Sequence, residues 1–181
     1  IRDARWNPAI RRWALDTVAF TRAADPTRLV IDNSGGFHLD TDVWDFHHYL
    51  ATAESSHFIY QAYNMEPGDH KGLAWSLYAG LTGHAVISNF IPGVDYGGQP
   101  IILSEYGGFG FYFTEGDQSL LDKYRDFTLA MSDYPYIDGY CYTQPYDVEQ
   151  EQNGLMTFDR KPKVEPEKIK EINDQMGPQA K

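Results

Sequence analysis

Four short apolar runs alternate with helical patterns along the chain, and this alternation constrains the fold more than any other feature. Long connections separate the runs, so tight hairpins do not join them. Such spacing predicts parallel βα units. We therefore predict an α/β fold with four parallel strands, at residues 28–33, 42–49, 100–105 and 137–143.

Helical patterns lie before, between and after these strands. Ile10, Trp13, Val18 and their neighbours recur at helical spacing, which predicts a helix over residues 8–24 that Pro26 stops. The stretch from about residue 50 to 99 is predicted as a long, partly helical excursion. The helices are predicted at residues 8–24, 70–79, 118–133 and 166–176.

Length and composition predict one domain over residues 1–176 and a flexible tail at 177–181. The chain has 181 residues, 42% of them hydrophobic, which suffices for one core. No run of about 18 apolar residues and no leader is present, so neither a membrane span nor a signal peptide is expected. The start at Ile1 suggests a fragment, for which cytoplasmic, periplasmic and secreted locations all remain open.

Charge argues against a nucleic-acid partner, and the cysteine content argues against disulfide and cysteine-rich metal sites. Fifteen Lys and Arg stand against 26 Asp and Glu, for a formal charge of −11, and no basic stripe occurs, so we expect no nucleic-acid partner. The single Cys141 rules out an internal disulfide framework and a cysteine-rich metal site. Aromatic residues reach 15%, which suits stacking on a sugar or an ordinary core.

All four predicted strands end in polar residues. Ligands of parallel βα folds bind at the carboxyl ends of the strands. The four polar ends therefore predict a ligand site there, with members Asp32, Asn33, His47, His48, Tyr49, Glu105, Thr143 and Gln144.

Glu105 closes the most apolar of these strands. Strand alternation predicts that Ile101, Leu103 and Glu105 share the core face, where an ionised group is costly unless the site uses it. Gly107 and Gly108 follow and leave the carboxylate unobstructed. Glu105 is thus the leading candidate for a catalytic residue, with a salt-bridged strand end as the alternative.

Two acidic stretches could be taken for metal sites. Residues 38–48 contain three His and three Asp, but alternation points Asp45 and His47 away from His48, and no His-x-x-x-His helix is present. We favour structural histidines and pocket walls over a metal there. The carboxylates of residues 146–154 are too sparse for a calcium loop and indicate a solvated loop or a pocket rim.

Several motifs together resemble a known family. In order and spacing, the chain resembles the C-terminal half of the catalytic barrel of family 2 glycoside hydrolases, the β-galactosidase and β-glucuronidase group. The matching segments cover most of the chain and are Asp25-Pro26-Thr27-Arg28, Asp45-Phe46-His47-His48-Tyr49, Ser104-Glu105-Tyr106-Gly107-Gly108, Tyr142-Thr143-Gln144-Pro145-Tyr146-Asp147-Val148-Glu149 and Gln152-Asn153-Gly154-Leu155-Met156-Thr157-Phe158-Asp159-Arg160.

The resemblance implies strands five to eight of a (β/α)8 TIM barrel and an exo-acting, retaining glycosidase without a cofactor or metal. It makes Glu105 the nucleophile that forms a glycosyl-enzyme. A second carboxyl, about 5–5.5 Å away, must act as acid and base. In the family that residue is a Glu after an Asn on strand four, and no Asn-Glu pair occurs in this sequence. The acid/base is therefore expected outside this chain.

The resemblance also implies roles for residues around Glu105. By strand order, Tyr49 would donate a hydrogen bond to the nucleophile with His47 beside it, and Tyr142 or Gln144 would form the floor of the sugar pocket. Asn33 and Glu149 are further candidates for substrate binding.

A half-barrel would expose two open sheet edges and an apolar face. The expected partners are a carbohydrate substrate and either the missing N-terminal half or a second copy of the chain. No basic clamp for a sugar carboxylate stands near the strand ends, which favours a neutral sugar over glucuronate. Two alternatives remain: a non-catalytic carbohydrate-binding or degenerate barrel module, and another hydrolase with a carboxylate pair, such as an endo-acting glucanase.

Overall fold

The computed structural model describes residues 7–49, 57, 60, 91, 93–109 and 119–177. Its class is α/β, with three parallel strands paired in the order β1-β2-β3. The chain divides into two compact units, residues 1–47 with 62–104 and residues 48–61 with 105–181. In chain order the elements are α1 Pro8–Ala24, β1 Trp44–His48, β2 Ile101–Gly107, α2 Leu120–Ala130, a 3-10 turn Met131–Asp133, β3 Ile137–Thr143 and α3 Pro166–Gln175.

Helix α1 has the predicted bounds because both of its ends carry strong local signals. The Asn7 side chain accepts hydrogen bonds from the amides of Ala9 and Ile10, and Pro8 occupies the first turn, where its missing N–H costs nothing. At the other end the Asp25 amide donates to the Thr21 carbonyl at 3.0 Å.

The first predicted strand, residues 28–33, is wrong: these residues form bends and extended chain without a strand partner. Asp42 explains the difference. The main-chain amide of Val30 donates to the Asp42 side chain at 2.8 Å, and the Asp42 amide donates back to the Val30 carbonyl at 2.9 Å. Leu29, one of the apolar residues of this run, is 70% exposed. Asp42, through its side chain and its main-chain amide, thus takes the hydrogen bonds that a neighbouring strand would have supplied.

The remaining strands occur where predicted, with small shifts at their ends. Strand β1 is shorter than the predicted 42–49, β2 extends past Glu105 to Gly107, and β3 has the predicted bounds. Helices α2 and α3 are also confirmed, although α2 ends at Ala130 and passes into the 3-10 turn. The helix predicted at 70–79 and the last four residues of the tail lie outside the described residues.

In the second unit, aromatic residues form the core between the strands and α2. The Phe127 ring, 1% exposed, lies 4.8 Å from the Phe109 ring and 5.8 Å from the His48 ring. The Tyr106 hydroxyl is paired with the Thr128 hydroxyl at 2.6 Å. This pairing satisfies two polar groups that strand β2 and helix α2 would otherwise bury without partners.

Among the described helices, none combines the length and the apolar character needed to cross a membrane.

The Phe127 packing leads to a stability prediction. Phe127→Ala removes a fully buried ring and leaves a cavity, so we expect the free energy of unfolding to fall by about 3–5 kcal/mol. Urea denaturation followed by circular dichroism measures it. The matched control is Phe158→Ala, which truncates a ring that is 70% exposed and should change stability by no more than about 0.5 kcal/mol. Equal losses in the two variants would contradict this account of the core.

Candidate functional site

A tyrosine and a carboxylate meet at the ends of two neighbouring strands in the second unit. Tyr49 is the residue directly after β1, and Glu105 lies near the end of β2. The Tyr49 hydroxyl donates a short hydrogen bond to Oε2 of Glu105. A hydrogen bond between these two residues is what the family resemblance implies, and it holds the Glu105 carboxylate in a defined orientation.

Glu105 is less buried than the apolar residues Ile101 and Leu103 that precede it on β2. Along β2, Ile101 and Leu103 are buried and Ile102 is half-buried, but Ser104 and Glu105 are then both half-buried before Tyr106 is buried again. The alternation of buried and half-buried residues along β2 is therefore interrupted at Ser104 and Glu105. Glu105 does not share the environment of the buried Leu103, and two consecutive polar side chains take the more open positions.

Gly107 is required by packing. Its φ is +107°, and a Cβ there would lie 2.4 Å from Cε2 of Tyr142, closer than any real contact allows. We expected this glycine to leave room for a ligand, but the Tyr142 ring occupies that room. The Gly107 backbone and the Tyr142 ring thus fix the ends of β2 and β3 against each other.

Tyr142 supports the loop after β3. Its hydroxyl donates to the Asn153 carbonyl at 2.8 Å, and its ring packs edge-on against Tyr106 and Tyr124. Burial, together with the nearby Tyr124 and Asp147, raises the pKa of Tyr142, so the hydroxyl stays protonated as a donor. Its contacts within the chain hold the loop in place.

Gln144 lies in a polar cluster formed by the same loop. Its Nε2 donates at 3.4 Å both to Oε2 of Glu151 and to Oδ1 of Asn153. Asn153 is fully buried and donates from Nδ2 to the Thr143 carbonyl at 3.0 Å. Sequence reasoning missed the role of Asn153, although the Asn-Gly pair at 153–154 signalled a turn.

The loop after β3 is a folded unit rather than a solvated connection. Asp147, 8% exposed, accepts hydrogen bonds at Oδ1 from the Gly154 amide at 2.9 Å and from Nζ of Lys163 at 2.6 Å. The Arg160 guanidinium lies 3.3 Å from the centre of the Tyr146 ring. Glu149 is exposed at a positive φ, in a turn of this loop.

The first unit contains a buried charged cluster, which consists of Asp32, His38 and Asp45. All three side chains are fully buried. Nδ1 of His38 lies 2.7 Å from Oδ1 of Asp32, and Nε2 lies 2.8 Å from the main-chain oxygen of Asp45 and 3.2 Å from its Oδ1. The sequence had indicated structural histidines in this region, and His38 has that role.

The cluster is held in its ionised form by its own contacts. Burial by itself would lower the pKa of His38, but the hydrogen bonds to Asp32 and Asp45 outweigh it and raise the pKa to about 9. Burial would likewise raise the pKa of both carboxyls, whereas the His38 contacts lower it. His48 in the second unit is the opposite case, because burial alone lowers its pKa to about 3.

The other two predicted substrate-binding residues belong to the first unit. The His47 side chain is 19% exposed, and its Nε2 lies 3.2 Å from the Ser34 hydroxyl. Its ring lies so close to Gly35 that a Cβ there would be 2.6 Å away. Asn33 donates from Nδ2 to the Gly36 carbonyl in a short hydrogen bond, so its amide closes a local turn.

Metal ligation can be examined only within the described ranges. There, no three His, Cys, Asp or Glu side chains are grouped so that they could hold a metal ion. Among the carboxylates of residues 38–48, those of Asp40 and Asp42 bind Arg22, and that of Asp45 lies 3.2 Å from Nε2 of His38.

Comparisons with known proteins give a distant likeness. No protein-family model matches the chain, and no curated protein matches it. The similar solved structures include the β-glucuronidase of Bifidobacterium dentium complexed with coumarin-3-O-glucuronide, at 19% identity over 76% of this chain, and the β-glucuronidase of Faecalibacterium prausnitzii, at 20% identity over 75%. The TM-score is 0.37 in both cases, too low to define a shared fold, and the chain spans 21% of the length of each enzyme.

The pKa values of His38 and His48 are shifted in opposite directions, which predicts how each contributes to stability as the pH changes. His38 gains charged partners on folding, so its share of stability is present below about pH 6.5 and is lost as the pH rises through about 9. His48 is buried neutral, so its share is present above about pH 6.5 and is lost as the pH falls towards 3. Titration of the ring Cε1–H signals by NMR should give midpoints on opposite sides of 6.5. A His38 midpoint below 7 would contradict the buried ion pairs.

Proposed function

We propose that this chain supplies the nucleophile to a retaining, exo-acting glycosidase that cleaves terminal β-glycosides of a neutral sugar, as β-galactosidases do. The observation that carries the proposal is the Tyr49 hydroxyl bound to Oε2 of Glu105, at the carboxyl ends of neighbouring parallel strands. Ligand sites of such folds are built at those ends.

The chemistry follows from one fixed carboxylate. Glu105 attacks the anomeric carbon, the bond from that carbon to the leaving oxygen breaks, and a glycosyl ester forms on Glu105. The leaving oxygen takes a proton from a second carboxyl, which then removes a proton from the water that hydrolyses the ester. Tyr49 contributes orientation, because a hydrogen bond to one carboxylate oxygen limits the rotation of the other.

We further propose that β1, β2 and β3 are strands six, seven and eight of a (β/α)8 barrel. Their parallel pairing in chain order and their alternation with α2 and α3 support this assignment. The acid/base and the first strands would then belong to the remainder of a longer protein.

One observation favours a second candidate, a non-catalytic carbohydrate-binding module. A retaining site needs two carboxyl groups, and the sequence offers no counterpart of the family's acid/base. A domain that had lost turnover could keep the Tyr49–Glu105 pair and the tyrosine-rich core.

Trapping of the glycosyl ester tests the proposed function. Dinitrophenyl 2-deoxy-2-fluoroglycosides carry a leaving group that needs little acid assistance, and the fluorine slows hydrolysis of the ester. We expect mass spectrometry of the intact protein to show one sugar adduct after incubation with the galacto reagent or with that of another neutral sugar. Peptide sequencing should place the adduct on Glu105. The chain and the longest natural protein that contains it are incubated in parallel with the galacto, gluco, manno and glucurono reagents.

Two variants complete this experiment. Glu105→Gln should abolish labelling and nearly all turnover with the fold intact. Tyr49→Phe should be labelled at Glu105 about tenfold or more slowly than the wild type, because the Glu105 carboxylate loses the hydrogen bond that orients it. The absence of an adduct in both proteins would favour the binding module. An adduct on another carboxylate would assign the nucleophile to that residue. An adduct that forms only with the glucurono reagent would overturn the proposed preference for a neutral sugar.

The proposed half-barrel also implies a partner, either the N-terminal half or a second copy. The outer face of α1 supports this, because Trp13 is 63% exposed and Phe20 is 74% exposed on that helix. Exposed apolar surface of this kind is typical of contact sites.

We therefore expect the isolated chain to associate with itself at micromolar concentration, as measured by multi-angle light scattering. The double variant Trp13→Ser with Phe20→Ser should lower the measured mass, whereas Phe158→Ser, which removes an exposed ring from the second unit, should leave it unchanged. A monomeric chain would argue against the open half-barrel.

A further inference from the structure

The Asp45 carboxylate binds the residue that precedes Glu105. Oδ2 of Asp45 accepts a short hydrogen bond from the hydroxyl of Ser104, and Ser104 is joined to Glu105 by the peptide bond. The same oxygen accepts from the Gly35 amide at 2.8 Å and from the Ser34 hydroxyl at 3.2 Å. Asp45 therefore ties β1 to β2 and to the turn at residues 34–35.

Asp45 is itself held from the other side. His38 contacts both its main-chain oxygen and Oδ1, and the opposite ring nitrogen of His38 is bound to Asp32. Asp32 in turn accepts from the amides of Leu39 at 2.5 Å and Asp40 at 3.1 Å. A buried carboxylate with this many partners cannot move without leaving one of them unpaired, which costs far more than a surface contact would.

Strand β2 needs such an anchor near Glu105. The burial pattern slips between Ser104 and Glu105, so alternate packing of apolar side chains does not by itself fix the backbone there. The Ser104 hydroxyl lies at this slip. Its hydrogen bond to Asp45 fixes the side chain directly before Glu105.

We propose that Asp45 is a positioning residue for the Glu105 carboxylate and acts through the Ser104 hydroxyl. This inference rests on the proposed function, in which Glu105 is the nucleophile. Asp45 has no contact with substrate in this scheme. It fixes the β2 backbone, and a displacement of about 1 Å at a reacting atom can cost about 100-fold in rate.

The test compares the rate at which Glu105 is labelled in the wild type and in three variants. Ser104→Ala removes the hydroxyl, and Ser104→Thr keeps it. Ser132→Ala is the matched control, because it removes a serine hydroxyl that donates to the Leu129 carbonyl in the second unit, away from Asp45 in the chain. Labelling by the fluoroglycoside is measured against reagent concentration, which separates the maximal rate from the half-saturating concentration.

A positioning role predicts a specific pattern. Ser104→Ala should lower the maximal labelling rate about tenfold or more with little change in the half-saturating concentration. Ser104→Thr should restore most of the rate, and Ser132→Ala should match the wild type. A merely structural role would lower the thermal midpoint and leave the maximal rate of the folded protein unchanged.

The possible failures are distinguishable. If the wild type is labelled and Ser104→Ala is labelled at the same maximal rate, the positioning role is wrong and the proposed function stands. If the wild type is not labelled at Glu105, the proposed function fails and the positioning role falls with it. Should Ser104→Ala not fold, Ser104→Cys, a near-isosteric and weak donor, replaces it, and a wild-type rate in that variant overturns the proposal.

Discussion

The Asp45 side chain in β1 is a buried, ionised carboxylate, and the surrounding chain must supply it with hydrogen-bond and ion-pair partners. Asp45 must find partners for its charge where water is excluded, and His38, Gly35, Ser34 and Ser104 supply them. These contacts bring together segments that are distant in sequence. The turn at 34–35, the strand β1 and the strand β2 thus have their positions set by one group.

The second unit uses aromatic packing for the same purpose. Tyr142 lies against Gly107 where no side chain fits, and its hydroxyl reaches the main chain of Asn153. The loop after β3 is thereby folded back onto the strand end, with Asp147 and Lys163 closing it. Glu105 and Tyr49 belong to this unit. The proposed nucleophile therefore lies on β2, whose end is fixed against β3 by the contact between Gly107 and Tyr142.

Local signals explain why much of the fold could be predicted and some of it could not. The helical spacing of Ile10, Trp13 and Val18 predicts α1, and the structure shows that Asn7, Pro8 and Asp25 set its ends within one turn of the chain. The strand at residues 28–33 was wrong because a strand needs a neighbouring strand, and here Asp42 took the hydrogen bonds of Val30. Likewise, the period-two pattern could not reveal a slip between Ser104 and Glu105.

By itself the sequence determined the α/β class, three helices, three strands and the candidate Glu105, since each depends on apolar spacing and capping within a few residues. Tertiary structure alone decided that Tyr142 fills the space above Gly107 and that Asp45 binds Ser104. Those contacts join residues 35 and 59 positions apart, and hydrogen bonds depend on distance and direction in space, which no spacing along the chain encodes.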